Sequence, residues 1–213
     1  TASAIAARGT DLRSDLNTDL RGLVATQAQR NEQLLGEVAE VRAEVEDLGH
    51  QQGASPELDK QQRAVAEQAA AVPVTGPGMR VTLTDAPTDV RPAGVDDDAL
   101  VVHQQDIQAV VNALWKGGAE AVSIQGKRII STSGIKCVGN SVVLHGIPYA
   151  PPYVIEAIGD AGRMAAALKE SRALTTYRQY ADAYGLGYRE SVESSLSLPA
   201  FQGALGITHA KSR

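Results

Sequence analysis

An α+β protein is predicted, with an N-terminal coiled-coil helix leading into a mixed-sheet α+β sandwich domain whose helices lie mainly on one face. Three features of the 213-residue sequence carry this expectation. Residues 11–72 place apolar side chains at heptad spacing. Residues 73–199 switch repeatedly between strand-period and helix-period patterning. Pro73, Gly76, Pro77 and Gly78 punctuate the boundary between the two.

In the first region, Asn17, Val24, Asn31, Val38 and Val45 occupy one core position, and Leu20, Gln27, Leu34, Val41 and Leu48 follow three residues later at the other. Valine at the first position and mostly leucine at the second favour a parallel two-stranded coiled coil. Asn31 stands at a valine-type position, the device that fixes register in such dimers at some cost in stability. A homodimer is therefore expected, with Val24, Asn31, Leu34, Val38, Val41, Val45 and Leu48 as its seam. Glu37 and Arg42 flank the seam where they pair between strands. At about 1.5 Å per residue, Asp11 to Leu48 makes a rod roughly 57 Å long. The competing reading is one long helix folded against its own domain, because Asn17, Gln27 and Asn31 weaken the seam.

A break is expected near residues 49–56, where Gly49 and Gly53 flank a polar run and Ser55-Pro56 reads as an N-cap followed by proline at the first helical position. A second helix then carries Leu58, Val65 and Val72, out of phase with the first.

The head begins with Met79, Val81 and Leu83 alternating with polar residues, the period of a half-buried strand. Asp85 to Asp98 reads as a solvated loop whose Asp96-Asp97-Asp98 run serves as helix N-cap. Ile107, Val110, Val111, Leu114 and Trp115 line one helix face, stopped by Gly117-Gly118, and the Trp115 side is expected on the sheet. A hairpin follows, from Ala121 to Ile130 about Gln125-Gly126. Strands at Ile135–Val138 and Val142–Leu144, an irregular stretch from Gly146 to Pro152, and a central strand at Tyr153–Ile158 come next. Helices through Met164 and Leu168 and from Leu174 to Tyr184, a strand at Tyr188–Leu198, and a flexible tail at 200–213 complete the chain.

Composition narrows the function. The net charge of -5 is placed entirely in residues 1–72, which hold 12 acidic and 7 basic side chains, against 13 of each in residues 73–213. Without a basic stripe, nucleic acid is not an expected partner, because phosphate contacts need clustered Lys and Arg. The single cysteine, Cys137, excludes an internal disulfide and reads as a buried small hydrophobe. No apolar run approaches the ~20 residues needed to cross a bilayer. The chain opens at Thr1, so residues 1–10 read as a trimmed juxtamembrane segment, and an anchoring helix is expected before them.

Catalytic signals are thin. His103, Asp106, Cys137 and His145 are zinc-type residues without ligand spacing, so no metal site is expected. Ser133-Gly134-Ile135-Lys136 matches an S-x-x-K pattern without its companion motifs. The phosphate- and dinucleotide-binding glycine motifs are missing, and no cofactor is expected. Four tyrosines, Tyr177, Tyr180, Tyr184 and Tyr188, read as core and interface packing. The polar set His103, Gln104, Gln105, Gln125, Arg128 and Asn140 sits at element ends around a helix start, where a helix N-terminus plus an arginine can hold a small anion.

The segments HQQDIQAVVNALWKGGAEAVSIQGKRI, IKCVGNSVVLHG and PPYVIEAIGD resemble the DUF881 family, a domain-of-unknown-function family of actinobacteria and firmicutes with its YlxW-like group. The resemblance covers about residues 70 to 195. It implies a single membrane-spanning helix before the stalk, a coiled-coil spacer and an extracytoplasmic α+β head, and it implies no enzymatic residues. The functional expectation is a non-enzymatic, membrane-anchored scaffold or regulator of the cell envelope, linked to division or wall assembly and working with another envelope protein. The alternative is a ligand-sensing domain with the Gln/Arg set as its pocket.

Overall fold

Alternation along Met79, Val81 and Leu83, each no more than 2% exposed, identifies the strand on which the head is built. The computed structural model describes residues 12–51, 55–89, 92–138 and 141–203. Strand β1 (Val74–Thr84) lies between β7 (Tyr153–Ile158) and β8 (Gly187–Leu198) in a five-stranded sheet of order β3-β2-β7-β1-β8. Strands β2 (Ala121–Ile124) and β3 (Lys127–Ile129) complete it. A three-stranded meander of β4 (Ile135–Val138), β5 (Ser141–Leu144) and β6 (Ile147–Tyr149) forms a second sheet.

Among the described residues every strand pair is antiparallel, which corrects the expectation of a mixed sheet. The reason is connectivity. Tight turns at Gln125-Gly126 and His145-Gly146, all four residues at positive φ, join neighbouring strands directly, and such turns can link only antiparallel partners.

One face of the large sheet is apolar and covered. Helix α3 (Gln104–Lys116) buries Ile107, Val110, Val111 and Leu114 against it, while Trp115, at 36% exposed, lies at the margin instead of on the sheet. Helix α4 (Ala161–Glu170) adds Met164 and Leu168, and α5 (Arg172–Tyr184) adds Leu174 and Tyr177. These three helices share the core cluster with Met79, Val81, Leu83, Val122, Ile124, Ile155 and Ala157. The other face is polar at its centre. There Arg80 forks to Glu156 through Nε and Nη2 at 3.0 and 2.9 Å, and to Glu193 through Nη1 at 3.0 Å.

The Gly/Pro cluster expected as a linker belongs to β1, which starts at Val74. Gly78 is needed there because a Cβ would fall on the carbonyl oxygen of Ala157. The Pro77 carbonyl accepts the Gly159 N–H at 3.1 Å, so this irregular segment is still tied to the sheet.

Before the head, α1 (Leu12–Gln51) is a 40-residue helix, and α2 (Pro56–Gln68) starts with proline in its first turn. The expected break thus falls between them.

Candidate functional site

Two surfaces emerge from this arrangement: the long face of α1, and a cleft at the start of α3. The first is apolar. Val24, Leu34, Val38, Val41, Val45 and Leu48 are 42–64% exposed, and Leu23 is 65% exposed. Single exposed aliphatic residues are ordinary, but a heptad-spaced row of them on one helix is a candidate contact face.

A neighbouring flank of α1 leans on the head. Ala28, Asn31 and Leu35 are half-buried. Asn31 Nδ2 donates to the backbone oxygen of His145 in the β5–β6 turn. Arg42 donates to the backbone oxygens of Phe201 and Gly203 at 3.5 and 3.3 Å. Lys127 Nζ lies 4.0 Å from Glu32 Oε1.

Phe201 shows why this flank holds. The tail was expected to be flexible from residue 200, yet Phe201 is 5% exposed, its N–H donates to the Ala70 oxygen at 2.8 Å, and its ring meets His145 edge-on at 5.4 Å. Burying an aromatic ring offsets the cost of ordering this short strap. The rest of the tail, residues 204–213, lies outside the described residues. His145 carries no hydrogen bond on either ring nitrogen, and burial, followed by the nearby Lys127 charge, pushes its pKa down.

The polar set divides among different parts of the head. His103 caps α3: its N–H donates to Asp106 Oδ2 at 2.9 Å, and its Nε2 lies 3.1 Å from Asp98 Oδ1. Burial raises the Asp106 pKa against the opposing pull of that N–H and of His103. Gln104 is tied to β4, its side-chain oxygen accepting from the Cys137 N–H at 2.9 Å and its own N–H donating to Cys137 Sγ at 3.1 Å. Cys137 is exposed, not buried, because β4 is an edge strand with only Ile135 turned toward the core. Gln125 spends its side chain on the Val154 N–H at 2.8 Å and the Pro152 oxygen at 3.2 Å. Arg128, 5% exposed, donates to the Pro199 oxygen at 3.4 Å and leaves Nε unpaired. Asn140 lies outside the described residues.

Of the described members of this set, His103 and Gln105 alone line a common cleft, of about 410 Å³, with Asp96, Asp98, Asp106, Tyr177 and Tyr180 among its walls. Three carboxylates give it the charge opposite to that of an anion pocket. Ser133 of the S-x-x-K match accepts the Ile130 N–H at 3.0 Å, the work of a turn residue. Among the described residues, no group of three His, Cys, Asp or Glu is arranged to hold a metal ion.

The contact between α1 and the head agrees with the competing reading of a long helix folded against its own domain, but the residues that make it were not legible in the sequence. Its partners are backbone carbonyls of a turn and a strap, and carbonyls carry no sequence signature.

Comparison with known proteins gives a consistent picture. The family model described as "Bacterial protein of unknown function (DUF881)" matches residues 61–211. The UPF0749 proteins MT1871 and Rv1823, from two strains of Mycobacterium tuberculosis, are each 36% identical over 181 residues, covering 82% of this chain and 58% of theirs. This chain thus spans less than two thirds of those relatives. The UPF0749 protein YlxW of Bacillus subtilis is 40% identical over 89 residues, 42% of this chain and 38% of that protein. A crystal structure of an uncharacterized conserved protein from Mycobacterium tuberculosis superposes with a TM-score of 0.54 at 22% identity, covering 72% of this chain and 99% of that one. That likeness concerns the fold.

Proposed function

Because the chain belongs to the DUF881 family of bacterial proteins, we propose that it acts as a non-enzymatic scaffold or regulator of the cell envelope, paired into a homodimer through a coiled coil of α1. The observation that carries this reading is the exposed heptad row from Val24 to Leu48. Such a row costs solubility unless a partner covers it, and its valine-then-leucine pattern suits an identical helix. The head then offers its surfaces to a second envelope protein.

The envelope setting rests on the family's layout, in which an anchoring helix precedes the stalk. No helix among the described residues is long and apolar enough to cross a membrane. Fractionation of the full-length protein from cells tests the envelope setting: recovery in the membrane pellet supports it, and recovery free of membranes opposes it.

Light scattering of the purified chain tests the pairing. A dimer that becomes a monomer in a Leu34→Asp, Val41→Asp double variant supports it, and a monomer at every concentration contradicts it. The ligand-sensing alternative with a small anion is weaker, because Gln125 and Arg128 are committed elsewhere and the cleft beside His103 is acidic.

A further inference from the structure

The flank of α1 that leans on the head and the row left exposed are neighbours on one helix. At about 100° per residue, Ala28, Asn31, Leu35 and Arg42 centre roughly 80° from the Val24-to-Leu48 row. Asn31 falls on the border between them. In a parallel coiled coil an asparagine at this position turns its amide inward to meet its counterpart across the seam. Here the amide is turned outward, to the His145 oxygen.

The fit is close. A Cβ on Gly146 would come within 2.7 Å of Asn31 Nδ2, so the turn touches the asparagine directly, and Gly146 holds φ at +80°. A partner helix engaging this level of the seam meets the β5–β6 turn.

We infer that the head and a second copy of the chain compete for Asn31, so that the β5–β6 turn and the 199–203 strap act as a latch that restrains pairing of α1. This rests on the dimer reading above and adds its control. In the latched chain the apolar row is open but its polar register residue is occupied. Release of the head frees the Asn31 amide for its counterpart and clears space for the partner helix. The latch is built from few bonds: the Asn31 amide, the two Arg42 contacts and the Lys127–Glu32 pair. A force or partner acting on the head can therefore tip the balance.

The test measures the dimer dissociation constant of the whole chain by sedimentation equilibrium, in wild type, Gly146→Ala and Arg42→Ala. Gly146→Ala pushes Asn31 away without altering α1. Arg42→Ala removes the strap contact and leaves the turn intact, so it serves if Gly146→Ala disturbs folding by circular dichroism. Each is expected to dimerise about 25-fold more tightly, because both chains of the dimer lose about one hydrogen bond, worth roughly five-fold apiece, from the competing state. A dimer whose dissociation constant is unchanged or weakened in both variants overturns the latch and leaves the pairing standing. Monomers throughout, wild type included, overturn the pairing and the latch with it.

Discussion

The side-chain amide of Asn31 donates to the backbone carbonyl of His145, joining α1 to a hairpin turn 114 residues further along the chain. Around this bond, His145 packs on Phe201, and Phe201 in turn accepts from Arg42. The junction is thus a small polar and aromatic contact, unlike the broad apolar core of the head.

Acidification should weaken the fold through His145. Burial and Lys127 hold its pKa below the ordinary value near 6.5, so the folded chain binds fewer protons than the unfolded one. Its contribution is complete above about pH 6.5 and is lost as pH falls toward the folded pKa. Thermal unfolding at about pH 7.5 and about pH 5 should therefore show a larger drop in Tm for wild type than for His145→Gln. Equal drops would show that His145 does not carry the pH dependence.

Gly117 lets α3 end against α4. A Cβ there would lie 2.6 Å from the Met164 Cα and 3.1 Å from the Arg163 oxygen, both backbone atoms with little room to yield. Gly117→Ala should cost about 1–3 kcal/mol, read as a lower urea midpoint at unchanged slope. Gly36→Ala, in open space on α1, is the contrasting case. It should raise helix content, as alanine is favoured by about 1 kcal/mol in a helix interior.

Arg80 links three strands through Glu156 on β7 and Glu193 on β8. Arg80→Ala leaves two carboxylates facing each other without their cation. A loss of about 1 kcal/mol is expected, since the arginine is 40% exposed and screening limits such pairs. The loss should shrink as salt is raised, and a loss independent of salt would point to packing by the arginine stem instead.

Most of the head was legible because its elements state their period. The alternation at Met79–Leu83, the face from Ile107 to Leu114 and the positive-φ pair at Gln125-Gly126 each have one physical solution. Helix α5 likewise stops where expected, at Gly185 with φ of +83°. Strand β6 was hidden by its proline: Pro148 cannot donate to a ladder, but β6 is an edge strand and needs no donor on its open side. The β1 start was hidden by Gly76-Pro77-Gly78, which reads as a linker but here accommodates an extra residue on β8 and a close approach to Ala157. For the candidate site, the heptad row was visible in the order of residues. Which flank of the helix the head would occupy was not, because that depends on carbonyls and on Phe201, a lone aromatic in a polar tail.

In the proposed dimer the exposed row of α1 pairs with the same row of a second copy. Single cysteines placed at Leu48 on the row and at Ala43 on the opposite side, each in a Cys137→Ser background, test it most directly. Under mild oxidation, Leu48→Cys should crosslink into a covalent dimer while Ala43→Cys stays monomeric, because only seam residues of a parallel pair bring two Cβ atoms within disulfide reach. Equal crosslinking at both sites, or none at Leu48, would contradict it.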